Sequence, residues 1–212
     1  MNNRFEKYNK LSSPEELLEF MQKEIKYGIC GNDKKIYSDW DSKSNFEFQH
    51  ACQSKYFLCD KERILKTGYG TCWDQVELER DFFKSHGYEF KTFFIWFLFD
   101  YENNYLTHSY LVYKRNNKYY YFENSDTENR GIYCFNSYKE AITYQMNKHI
   151  KTNKKYGNKI NNEILKHLNI VEYKNTRLGM NQNEFIEMIL NSKVVIETIH
   201  LLIKRGIYEK ER

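Results

Sequence analysis

The sequence predicts an α+β protein, an antiparallel β-sheet packed against helices with more helices toward the C-terminal end. Three observations predict it. Residues 90–135 hold four runs dense in aromatic and β-branched side chains, "FKTFFIWFLFD", "LTHSYLVYK", "KYYYFEN" and "GIYCF", which is the composition of strands. "RNNK" between the second and third runs reads as a hairpin turn, because asparagine tolerates positive φ. Amphipathic helical segments lie on both sides of this block.

Each element has a local reason. In "LSSPEELLEFMQKEIKYG" (11–28), Ser12 or Ser13 can cap a helix, Pro14 suits its first turn, and Glu15 and Glu16 suit its positive end. Leu17, Leu18, Met21 and Ile25 form its apolar stripe, and Gly28 is read as its end. Residues 29–45 read as a polar loop, and 46–66 as one or two short helices. In "TGYGTCWDQVELERDFF", Gly68 and Gly70 loosen the backbone and Thr71 can cap a helix from Cys72 to about Ser85, with Gly87 breaking it. The strand runs carry bulky apolar groups at consecutive positions, so both faces of the sheet are expected to be covered. "SYKEAITYQMNKHI" reads as a helix capped by Ser137. "NKINNEILKHLNI" and "NQNEFIEMILNSKVVIETIHLLIKRG" read as helical too. The expected organisation is a core over residues 1–150 and a helical extension over 151–212 packed on it.

Bulk properties narrow the function. A length of 212 residues suits one domain or one with a small appendage. A net charge of +4 is too mild to indicate nucleic acid, so no specific nucleic-acid partner is expected. The basic run "NKHIKTNKKYGNK" (147–159) reads as a solvated helix end and linker. The five cysteines Cys30, Cys52, Cys59, Cys72 and Cys134 show no paired spacing, so neither a zinc ribbon nor a disulfide framework is indicated. No metal is implied, no cofactor is called for, and no run is apolar enough to span a membrane. The chain is expected to be soluble and cytoplasmic, with reduced thiols.

Cys72 stands out because it opens a helix, where the partial positive charge of the backbone favours a thiolate. The hairpin register supplies its partners. A two-residue turn at Asn116–Asn117 sets His108 opposite Ser125 and Tyr110 opposite Glu123. Alternation then sends His108, Tyr110, Glu123 and Ser125 to one face, and Asn124 to the other. His108 and Glu123 become diagonal neighbours with Cα atoms about 7–8 Å apart, within a glutamate's reach. A Cys–His pair stabilises the thiolate, and a carboxylate orients the imidazole. Each residue also has a plain structural role open to it: core thiol, strand histidine, solvent-edge glutamate.

"YGTCWDQ" and "THSYLVYKRNNKYYYFE", in that order, resemble the transglutaminase-like superfamily, relatives of papain-type cysteine peptidases. Cys72-Trp73 matches the family's Cys-Trp at a helix start. His108-Ser109-Tyr110 matches its His-Ala-Trp-like text, and Glu123 stands where the family usually has Asp. The likeness covers about residues 60–126. It implies a papain/transglutaminase-like core and a Cys72 thioester, with His108 as general base and acid and Glu123 orienting it. The substrate would be a peptide or protein amide, and the outcome hydrolysis, deamidation or transamidation. The backbone N–H of Cys72 would serve the oxyanion, with Gln53, Tyr56 and Tyr69 as candidates for a second donor. Trp73 would wall the site or be a core aromatic. The alternative expectation is a catalytically weak or inactive module on the same scaffold that binds peptide or protein.

Overall fold

The computed structural model describes residues 3–38, 46–97, 105–174 and 176–196. Helices α1 (Asn3–Tyr8) and α2 (Pro14–Glu24) come first, α2 capped by Ser13, whose side chain accepts from the Glu16 N–H. Short strands β1 (Lys26–Tyr27), β2 (Ile29–Cys30) and β3 (Ile36–Tyr37) follow, then α3 (Phe46–Ser54), α4 (Lys61–Thr67) and β4 (Tyr69–Gly70). Next come α5 (Cys72–Ser85), β5 (Glu89–Phe97), β6 (His108–Arg115), β7 (Lys118–Glu123) and β8 (Gly131–Phe135). The chain continues through α6 (Tyr138–Lys155), α7 (Asn162–Leu165), β9 (Leu168–Tyr173), α8 (Gln182–Leu190) and β10 (Lys193–Ile196).

Among the described residues six strands form one antiparallel sheet in the order β10-β9-β5-β6-β7-β8. The α+β class and the antiparallel sheet agree with the sequence. So does the hairpin: Arg115 pairs with Lys118 and Leu111 with Phe122, while Asn116 and Asn117 take φ of 51° and 59°. Two consecutive left-handed residues make a type I′ turn, whose twist matches the strands it joins.

Helices cover both faces. Leu78, Phe82 and Phe83 of α5 pack on Leu111, Tyr113 and Phe122. Farther along that face, Trp73 and Val76 meet Phe94 and Val171, with Phe185 and Ile189 of α8. On the opposite face Ile142, Met146 and Ile150 of α6 pack on Phe93, Ile95, Tyr110, Val112 and Tyr121. Burying both faces of these strands removes large apolar area from water, the main favourable contribution to folding.

Four local expectations need correction. The helix opened by Ser13 stops at Glu24, not Gly28, because Lys26 and Tyr27 pair in parallel with Tyr69 and Gly70. The stretch 29–38 is a small hairpin rather than loop; residues 39–45 lie outside the described residues. The C-terminal part is not all helix. Residues 168–173 form β9, hydrogen-bonded along β5, and 193–196 pair with β9. The rest of the expected final helix, from residue 197, lies outside the described residues. The basic run 147–159 is not wholly solvated: it continues α6 to Lys155, and Lys148 and Asn153 are buried. Among the described residues no helix is long and apolar enough to cross a membrane.

Candidate active site

Helix α5 begins where the sequence places it. The Asp74 carboxylate accepts from the Thr71 N–H (2.8 Å) and the Thr71 hydroxyl (2.9 Å), tying off the first turn. It also accepts from the Cys59 N–H (2.8 Å) and the Tyr56 hydroxyl (3.0 Å), which ties the turn to the segment before α4. Gly68 caps α4 at a φ of 74°, open to glycine at little steric cost. Gly70 passes so close to α5 that an added Cβ would sit 3.0 Å from the Asp74 Cβ. Burial pushes the Asp74 pKa up to about 6 against the pull of these hydrogen bonds.

The start of α5 lies at one end of the sheet. Trp73 packs edge-on to Phe94 near the end of β5, while Phe83, at the far end of the helix, stacks on Tyr113. His108 opens β6 and Glu123 closes β7, so both lie at the Trp73 end. There a group on the α6 face can meet one at the tip of α5, because the sheet no longer separates them.

His108 and Glu123 meet as the register predicts. His108 Nε2 lies 2.8 Å from Glu123 Oε2. The ring also lies within electrostatic reach of the Cys72 sulfur, which raises its pKa. With Nε2 on the glutamate, Nδ1 is the nitrogen available to the sulfur. Burial alone would lower the His108 pKa. The Glu123 charge and hydrogen bond and the Cys72 sulfur outweigh it and raise the pKa to about 10. The ring is therefore an imidazolium at neutral pH when the sulfur is a thiolate.

Glu123 is 2% exposed, yet every lone-pair direction has a donor. Oε1 accepts from the Asp126 N–H (2.9 Å) and the Ser125 hydroxyl (3.2 Å). Oε2 accepts from His108, from the Tyr121 hydroxyl and from Lys148 Nζ at 3.4 Å. Burial pushes its pKa up, but the His108 charge and hydrogen bond, then Lys148 and the Asp126 amide, hold it well below the usual carboxylate range. Nearby Glu79 is also buried. Burial and the Glu123 charge push its pKa well above the usual carboxylate range.

Cys72 is 5% exposed and lines a pocket of about 110 Å³ with Tyr27, Phe48, Cys52, Tyr56, Trp73, Thr107 and Gln182. Tyr27, absent from the sequence reading, lines this pocket beside Cys72. Burial and the charge on that sulfur raise its pKa well above the phenol range, so it remains a neutral O–H donor. Cys52 is pushed up to about 12 by burial and by the Cys72 charge, and stays a thiol. The pocket adjoins a larger cleft of about 730 Å³ that His108 lines, sharing Tyr27, Phe48, Cys52, Thr107 and Gln182 with it.

The candidates for a second oxyanion donor separate. Tyr56 lines the thiol pocket, but its hydroxyl is committed to Asp74. Gln53 lines the larger cleft, and Tyr69 lines neither. Trp73 lines the pocket and stacks on Phe185 at 3.8 Å, so it serves as both wall and core. The sequence reading missed Lys148, Tyr121 and Tyr27. Tyr121 was legible, being two residues before Glu123 on the same face, whereas Tyr27 and Lys148 come from remote segments with no local signal.

The chain matches no family model, no curated protein and no solved structure.

Proposed function

We propose that this protein is a cysteine-dependent acyl-transfer enzyme acting on a peptide or protein amide. The observation that carries the reading is the ordered contact of three groups: Cys72 at a helix start, His108 beside it, and Glu123 at 2.8 Å behind the ring. In this reading the Cys72 thiolate attacks the amide carbonyl, and the carbon–sulfur bond forms as the carbonyl oxygen takes up the electron pair. In this reading the Cys72 N–H at the open end of α5 donates to that oxyanion, with the Tyr27 hydroxyl in the same pocket as the second donor. His108 gives its proton to the departing nitrogen, then takes one from the acceptor that cleaves the thioester. Glu123 does not change charge; it aims the ring and stabilises the imidazolium. The lineage we favour for this chemistry is the transglutaminase-like one that residues 60–126 resemble, with Glu123 in the place of Asp.

Iodoacetamide mapping at pH 6–7 tests the nucleophile. Cys134 is exposed and Cys72 is nearly buried. Access alone would label Cys134 first, whereas an ion-paired thiolate labels Cys72 first. Labelling of Cys134 or Cys30 ahead of Cys72 would remove the activated thiol. The narrowness of the Cys72 pocket favours a second reading, a non-catalytic module that binds peptide. Biological function surviving in Cys72→Ala would decide for it.

A further inference from the structure

The acyl-transfer reading leaves open which amide is cleaved, and the inference here rests on that reading. Cys72 and His108 face spaces of different character. The thiol lines the small pocket walled by Tyr27, Phe48, Tyr56 and Trp73. His108 lines the larger cleft, to which Ser125, Asp126, Glu128 and Arg130 also contribute. The nitrogen that receives the His108 proton departs on the His108 side, so the leaving amine occupies the larger cleft.

Most charges in that cleft are matched. Asp126 pairs with Lys148 at 3.2 Å, and Glu128 pairs with Lys155. Arg130 differs. Its Nε donates to the Asn124 carbonyl (2.8 Å), and among the described residues it forms no ion pair and its two terminal nitrogens no hydrogen bond. Its base is held firmly, because Asn124 Nδ2 donates to Gln75 Oε1 at 2.7 Å and so fastens this turn to α5. Half-buried Arg130 loses hydration, and this desolvation lowers its pKa despite the charges of Glu123 and Asp126. What remains is a positioned guanidinium with two free donors, the fork that recognises a carboxylate bidentately.

We propose that Arg130 binds a carboxylate on the leaving amine, so that the preferred amide nitrogen belongs to an amino acid or to the C-terminal residue of a peptide. The step balances: the Cys72 sulfur–carbon bond forms, the carbon–nitrogen bond breaks, and the nitrogen takes the His108 proton. The amine leaves with its carboxylate still on Arg130, and His108 is left neutral. Run in reverse, the same contact seats an amino-acid acceptor. The small thiol pocket restricts the acyl part to a few heavy atoms near the carbonyl. Lys26, exposed on the rim of the same cleft, adds positive charge but has no comparable anchoring.

Equilibrium binding separates this inference from the catalytic reading, because it needs no reaction at Cys72. The probes are N-acetylglycine and N-acetylglycinamide, alike except for the charge, titrated into the full chain and followed by NMR shift changes. Wild type should bind the anion about tenfold more tightly, the effect of one charge-assisted contact. The ratio should fall to about one in Arg130→Gln, recover in part in Arg130→Lys, and stay unchanged in Lys26→Met. Equal binding of both probes by wild type would overturn the proposal, and so would an anion preference that survives in Arg130→Gln. Failure of iodoacetamide to select Cys72 would count against the nucleophile alone, leaving the binding ratio to judge Arg130.

Discussion

Lys148 shows how one side chain from outside the familiar stretch completes a site. It is 9% exposed, and its ammonium lies 3.4 Å from Glu123, 3.2 Å from Asp126 and 3.3 Å from the Tyr121 hydroxyl. A buried cation against Glu123 adds to the His108 charge in holding that carboxyl below the usual carboxylate range. Removing one member leaves the others uncompensated, so Lys148→Met should destabilise the protein by about 3 kcal/mol in urea unfolding, and Lys148→Arg by less. Glu123→Gln keeps the shape and drops the charge that most strongly raises the His108 pKa. The His108 ring should then titrate not at about 10 but nearer the ordinary histidine value of 6.5, read from the NMR shifts of its ring protons across pH. A pH profile that does not move would take Glu123 out of its assigned role.

At the scale of elements, two short features control the geometry. The Asn116–Asn117 turn fixes which face each β7 side chain occupies. Asn117→Val forces a β-branched residue into the left-handed region and should cost about 1–2 kcal/mol, while Asn117→Gly should be neutral or stabilising. Inserting one glycine between the asparagines should keep a hairpin but turn Glu123 to the α5 face. Loss of selective Cys72 labelling in a folded protein is the expected result. The second feature is the first turn of α5, where Asp74 ties Thr71, Cys59 and Tyr56 together. Much of this level was readable. Thr71 at the cap, the start at Cys72 and the facing of His108 and Glu123 all follow from local pattern and a two-residue turn. Strand β9 was not readable. Ile164, Leu165 and Leu168 recur at helical spacing, and the following Ile170, Val171 and Tyr173 bury both faces, so no clean alternation marks the strand.

For the whole molecule, β9 has a consequence that a C-terminal appendage would not. It covers the edge of β5 over six paired positions, from Thr92 with Tyr173 to Phe97 with Leu168. A chain ending at residue 160 would expose that edge and strip Val171, Tyr173, Phe185 and Ile189 from the core. It should be insoluble or lack cooperative unfolding by circular dichroism. Two histidines give stability pH dependences of opposite sense. His108 has a raised pKa, so its contribution is full below 6.5 and is lost as pH rises through about 10. Burial and the His108 charge pull His149 down to about 3, so its contribution is full above 6.5 and is lost as pH falls toward 3. His149→Gln should therefore keep more of its own stability than wild type does between pH 6.5 and 3, measured as the change in urea midpoint.

By itself the sequence determined what depends on neighbours along the chain: the helix starts, with Cys72 at one of them, the hairpin register, and the shared face of His108 and Glu123 that this register imposes. Those are short-range matters of φ, ψ and side-chain alternation. Only the tertiary structure decided what depends on distant segments meeting. It brought Tyr27 to the sulfur, Lys148 to the carboxylate, β9 to the open edge of β5 and Arg130 to the cleft wall. Burial and charge pairing act through space, and no local pattern records which remote residue will lose its water beside which.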